Sequence, residues 1–181
     1  MYAEEFVNKL KGIPSEERVG YLNEKNLPQD FIAEYLQSYL FKRKDNGIHY
    51  DDPIQELTNN YDGKTVKIGM ITFDIDPRED IDYYYFAQFE ADLLAINKSL
   101  KTIELLEYGT DNHILSKCAQ NSTKFLDAIL EAAIFIEKCA YDDELYDNEK
   151  LKCDIAEECA DLAGSKTDYQ DFFKMLIGCD Y

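Results

Sequence analysis

The feature that most constrains this chain is a change of hydrophobic period after Asp62 and Gly63. From there the apolar residues alternate instead of recurring every three or four positions. TVKIGMITF (65–73) alternates and is rich in β-branched residues, so it reads as a strand. DYYYFAQFE (82–90), DLLAINKSL (92–100), TIELLEYG (102–109) and HILSKCA (113–119) follow. Asn97, Lys98 and Ser99 form one intervening turn, and Gly109, Thr110, Asp111 and Asn112 another. Parallel neighbours need a long crossover, so links this short require antiparallel pairing. The middle of the chain is therefore a β-meander of about five to six strands.

Helical periodicity flanks it on both sides. In AEEFVNKLK (3–11), Phe6, Val7 and Leu10 share one face, and a second short helix covers 15–24. NLPQDFIAEYLQSYLFKRK (26–44) predicts a helix capped by Asn26, with Pro28 in its first turn. Lys42, Arg43 and Lys44 suit the negative end of its dipole, and Asp45, Asn46 and Gly47 break it. Residues 52–60 form one more helix, entered through Pro53. After the meander, 121–140 places Phe125, Ile129, Ala132, Ile136 and Cys139 on one stripe, capped by Asn121 or Ser122. Residues 148–163, stopped by Gly164, and 167–177 complete the chain. Helices, a sheet, then helices make an α+β fold, with a mostly antiparallel sheet wrapped by N- and C-terminal helices. The organisation expected is an α+β domain over 1–140, with 141–181 a helical extension packed on it.

Charge decides which partners are available. Nineteen Lys and Arg face 37 Asp and Glu, for a net charge of −18. That field repels nucleic acid, whose affinity comes from phosphate neutralisation, and it repels anionic membranes. It attracts a basic protein and raises the encounter rate. The alternative is that it only keeps the chain soluble. No apolar run approaches the roughly 20 residues of a membrane span, and no signal peptide is visible, so a cytoplasmic location is expected. Cys118, Cys139, Cys153, Cys159 and Cys179 are odd in number and contain no CxxC pair, which predicts five reduced, mostly buried thiols. His49 and His113 are isolated, so no metal site is expected.

Nothing supports catalysis or a cofactor. There is no GxSxG, no GxxxxGK[ST] and no GxGxxG, and neither histidine has a nucleophile set beside it in a motif. The loop Asp74, Ile75, Asp76, Pro77, Arg78, Glu79, Asp80, Ile81, Asp82 fails as an EF-hand, because Glu79 stands where glycine is required and Tyr85 where the bidentate Glu belongs. It reads instead as a solvated acidic loop leading into Tyr83, Tyr84, Tyr85 and Phe86. Alternate members of that run face opposite sides of the sheet. Either helices cover both faces, or the outward tyrosines form a binding platform bordered by acids. A second block, 141–149, interleaves Asp142, Asp143 and Glu144 with Tyr141, Leu145 and Tyr146. The candidate partner-binding residues are therefore Asp74, Asp76, Glu79, Asp80, Asp82, Tyr83, Tyr84, Tyr85, Asp142, Asp143 and Glu144.

Three stretches resemble the SUKH superfamily, the α+β family of fungal Knr-type regulators and many bacterial immunity proteins. NLPQDF (26–31) is similar to its "LP-x-D-[FY]" helix entry, and FEADLLAIN (89–97) to its "ADxLxID" strand. IELLEY (103–108), His113 and CAQNSTKFL (118–126) resemble its closing strand pair and "A-x-S-x-x-x-FL" helix. The chain departs from the family in lacking tryptophan and in extending past about residue 140. The resemblance implies no catalytic residues and, for the bacterial branch, neutralisation of a cognate secreted toxin domain by binding. A nuclease toxin, basic where it meets phosphate, would suit the −18 charge. A Knr-type regulator or scaffold binding cellular partners is the alternative.

Overall fold

The computed structural model describes residues 1–44 and 47–179. The N-terminal part holds α1 (Ala3–Lys11), α2 (Glu16–Glu24), α3 (Gln29–Gln37), β1 (Lys42–Arg43), α4 (Pro53–Asn60) and β2 (Tyr61–Asp62). The meander holds β3 (Lys67–Ile68), β4 (Ile71–Thr72), β5 (Arg78–Glu79), β6 (Tyr83–Phe89), β7 (Asp92–Asn97), β8 (Ile103–Leu106) and β9 (Ile114–Ala119). The helices α5 (Ser122–Cys139), α6 (Asp143–Tyr146), α7 (Glu149–Ala163) and α8 (Lys166–Ile177) follow. The sheet runs β3-β4-β6-β7-β8-β9 with antiparallel neighbours, and β5 joins β6 on the edge that β4 also uses. The fold is α+β, with the antiparallel sheet flanked by N- and C-terminal helices.

Local chemistry explains most boundaries. Asp52 caps α4 through the amides of Ile54 and Gln55, with Pro53 in the first turn. Asn121, rather than Ser122, caps α5 by accepting from Lys124 N. Gly164 ends α7 in the left-handed conformation. Two expectations are corrected. The helix expected to run through Lys44 ends at Gln37, and its N-cap is Pro28, not Asn26. Lys42 and Arg43 instead form a short ladder with Asp62 and Tyr61. Of the expected breaker, Asp45 and Asn46 lie outside the described residues. The expected strand over 65–73 is a tight hairpin, because Gly69 adopts φ 56° and reverses the chain between β3 and β4.

One core runs from Ala3 to Ile177 and unites α1, α4, α5, α7 and α8 with one face of the sheet. A bulge in β6 sets its composition: pairing with β7 skips from Tyr85 to Ala87. Tyr84 faces inward before the skip, Phe86 within it, and Ala87 and Phe89 after it, so four residues of one strand enter the main core. On the outer face lies a separate cluster, Tyr83, Tyr85, Leu93, Ala95 and Leu106, which no helical residue joins among the described residues.

The expectation of five reduced thiols is also corrected. Cys153 of α7 and Cys179, just past α8, are joined in a disulfide, while Cys118, Cys139 and Cys159 are free. The physical reason is the C-cap of α8. Gly178, at φ 76°, turns the chain back so that the two Cα atoms lie 5.5 Å apart, a spacing a disulfide spans. Nothing in the cysteine spacing encodes that turn. No described helix is long and apolar enough to cross a membrane.

Candidate functional site

The acidic loop 74–82 is built into the end of the sheet rather than left loose. Arg78 and Glu79 pair with Tyr85 and Tyr84, so the loop carries its own strand. Asp80 then folds the chain: its Oδ1 accepts from the amides of Asp82 (2.8 Å) and Tyr83 (2.7 Å). Its Oδ2 accepts from the Tyr85 hydroxyl at 2.6 Å. That hydroxyl bond, with the two amides, holds the Asp80 carboxyl below its usual range against a smaller opposing effect of burial. The β7–β8 turn clamps the loop from the other side. Lys98 N donates to Asp82 O at 2.8 Å, and its Nζ donates to Asp80 O at 2.8 Å and meets Glu79 at 3.0 Å.

This scaffold presents two apolar side chains that sequence reasoning missed. Ile81, between two aspartates, is 91% exposed, and Leu100, in the clamped turn, is 67% exposed. Asp74, Asp76, Glu79 and Asp82 are exposed on the same loop as Ile81. Asp76 makes a long 3.7 Å contact with Lys64, between two exposed side chains, and such a pair contributes little. The sequence signal was available only in part. An isoleucine flanked by Asp80 and Asp82 cannot enter a core without dragging carboxylates with it, but that argument does not distinguish half-burial from full exposure.

The three tyrosines are not an exposed platform: Tyr83, Tyr84 and Tyr85 are each 7% exposed. Tyr84 points into the main core, where its hydroxyl bonds Thr58 and Asn59 at 2.8 Å. Tyr83 and Tyr85 lie on the outer face, their ring centroids 6.2 Å apart. The β8–β9 loop reaches over this face, and its Asn112 side-chain amide lies 2.9 Å from the Tyr85 hydroxyl, whose one proton goes to Asp80. The Arg78 guanidinium lies 5.3 Å from the Tyr85 ring. Tyr83 donates at 2.9 Å to Glu104, a carboxylate only 1% exposed, which also accepts from Thr102 at 2.8 Å. Burial first, then the neighbouring carboxylates, push both Tyr83 and Tyr85 up to about 12. These rings therefore roof the outer face and lock its loops, a role set by hydrogen-bond partners that the strand pattern does not reveal.

The second acidic block is a separate place. Asp142 is spent capping α6 through Leu145 N, while Asp143 and Glu144 are exposed on its single turn. Tyr141 stacks on Arg18 at 5.1 Å. Arg18 in turn approaches the buried Glu137 at 3.7 Å, beside the hydroxyls of Tyr35 and Tyr39 that donate to that carboxylate. This cluster ties α2 and α3 to α5. Tyr146 shares a cavity wall with Gly69, the turn that meets β6 at its Phe89 end. The 80–82 segment precedes β6 at its Tyr83 end. The structure therefore puts the two acidic blocks at opposite ends of a seven-residue strand and does not join them in one patch.

Among the described residues no group of three His, Cys, Asp or Glu is placed to hold a metal. His49 is exposed and lies 3.7 Å from Glu56, and His113 stands on the exposed end of the β8–β9 loop. The 74–82 end of the sheet thus exposes the apolar Ile81 and Leu100 together with the carboxylates of its loop. Comparison of the chain with family models, with curated proteins and with solved structures returns no match.

Proposed function

We propose that this chain is an immunity-type protein that neutralises a basic toxin domain by gripping it with the 74–82 end of its outer sheet face. The observation that carries the reading is Ile81, held 91% exposed on a loop fixed by Asp80, Tyr85 and Lys98. Exposing an isoleucine on a rigid, hydrogen-bonded loop has no folding benefit. As an anchor it presents apolar area already ordered, so binding loses little conformational entropy. The exposed Asp76, Glu79 and Asp82 supply the polar rim and the long-range attraction for a basic surface. The net charge of −18 adds to the same steering.

The immunity assignment itself rests on the SUKH resemblance, which also implies binding without catalysis. Neutralising a toxin inside its producer places the protein in the cytoplasm. The Cys153–Cys179 bridge pulls the other way, since disulfides persist mainly in oxidising compartments. Its redox state in intact cells, trapped by alkylation and read by mass, decides the compartment. The function is tested by co-expressing the chain with the toxic domain encoded by the adjacent reading frame. Rescue of growth, with an association rate that falls steeply as salt rises, is the expected result. A tight complex whose association ignores salt, or no rescue at all, contradicts it.

A further inference from the structure

The acidic block of α6 borders a cavity that the outer face leaves unused. It is an open concavity of about 280 Å³ between α5, the C-terminal end of α8 and the β3–β4 turn. Phe135, Ile136, Ala140, Leu176 and Ile177 give it apolar walls. The surrounding elements cannot simply collapse into it. A Cβ on Gly69 would already lie 3.1 Å from the Cδ1 atoms of both Ile136 and Leu176, so turn and helices are in closest contact beside the gap. It opens to solvent beside the exposed Ala140 and Tyr146, and apolar concavities near this size take ligands and side-chain anchors.

Tyr146 forms part of the wall, and its chain neighbours in and just past α6, the exposed Asp143, Glu144 and Asp147, give that side of the rim its negative charge. The cation of the wall, Lys152, is paired with Glu149 at 2.6 Å and lies 4.7 Å from the Tyr146 ring centroid. Free Cys139 also lines the cavity. Burial raises its thiol pKa, Lys152 opposes the shift and Asp142 adds to it, so the acidic block acts electrostatically on the cavity itself.

We infer that this cavity is a second docking site, taking a Leu- or Phe-class side chain from a peptide segment flanked by Lys or Arg. An apolar centre inside an acidic rim is complementary to that pattern, and it would repel an anionic amphiphile of the same size. The inference rests on reading the chain as a binder of basic proteins. The site lies at the other end of β6 from Ile81, so the two can fail separately.

Cys139 reports on occupancy. Cys118 and Cys159 are fully buried, so a maleimide should alkylate Cys139 first, and intact mass follows the rate. The probes are the peptides KKLFKK and KKSSKK. Saturating KKLFKK should slow alkylation about tenfold and KKSSKK less than about twofold, the difference being the apolar anchor. Asp143→Lys with Glu144→Lys should weaken KKLFKK severalfold, and Ala140→Trp, which fills the cavity from its exposed edge, should abolish protection. Ile81→Asp should leave protection intact. Equal protection by KKSSKK, no protection by KKLFKK, or indifference to either cavity or rim substitution overturns the inference. Loss of protection in Ile81→Asp also overturns it, because that would mean one site rather than two.

Discussion

The two faces of the sheet solve the same burial problem by different means. The inner face sinks Tyr84, Phe86, Ala87 and Phe89 against helices, and aromatic contacts such as Phe86 to Phe125 (centroids 5.7 Å) continue into α5. The outer face has five apolar residues and no helix among those described, and it is closed by hydrogen bonds from Tyr83 to Glu104 and from Tyr85 to Asp80, with the Asn112 amide against the Tyr85 hydroxyl. The inner face derives its stability from apolar area and packing. The outer face derives its order from directional bonds, which fix loops without covering the side chains at their tips. That difference explains how one sheet can be stable on one side and display Ile81 and Leu100 at the end of the other.

The largest effect that would sharpen this contrast is loss of an inner aromatic. Phe86→Ala should destabilise by about 3–5 kcal/mol in urea unfolding, because the ring is fully enclosed and its removal leaves a cavity. A cost near 1 kcal/mol would mean that the helical layer is not the main source of stability. Next comes the bridge that ties α7 to the end of α8. With the cysteines 26 positions apart, Cys153→Ser with Cys179→Ser should cost about 3 kcal/mol on a chain-entropy account. The same loss should follow addition of reductant to the wild type and be absent in the variant.

The outer face should respond to smaller, directional changes. Tyr83→Phe removes a donor from the buried Glu104 carboxylate and should cost about 1.5–3 kcal/mol, although ring area is unchanged. The same tyrosines set a pH window. Their folded values, about 12, lie above the ordinary value near 10, so the unfolded chain ionises first. Their contribution is complete below the ordinary value and is lost as pH rises from there through about 12. Unfolding followed across that window should show a falling stability whose slope is reduced in Tyr83→Phe with Tyr85→Phe. An unchanged slope would show that these hydroxyls are not held as described.

The contrast also marks what the sequence discloses. The apolar runs from residue 82 to 119 disclose β6 to β9, although β9 is buried only at Cys118 and Ala119, and links too short for crossovers disclose the antiparallel order. The hairpin at Gly69 is hidden because Val66, Ile68 and Met70 keep the alternation going into the turn. The Lys42–Arg43 strand was hidden because three cations after an amphipathic run fit a helix end equally well. Tyr83 to Tyr85 could not be assigned to surface or interior, since burial of a tyrosine depends on partners such as Glu104 and Asn112 that are distant in sequence. The acids of 74–82 were legible as a candidate site. Ile81 was not, because exposure of a lone apolar residue is a property of the folded loop.

The proposed grip makes Ile81 an anchor with no structural duty. Substitution by Asp should therefore leave the urea midpoint within about 0.5 kcal/mol of the wild type, as for other exposed positions. The same variant should bind the toxin domain at least about thirtyfold more weakly, the mark of a hot spot. Both quantities can be measured on one preparation, by urea unfolding and by titration calorimetry. Normal stability with undiminished affinity would contradict the claim that the 74–82 end of the outer face is where this protein grips its partner.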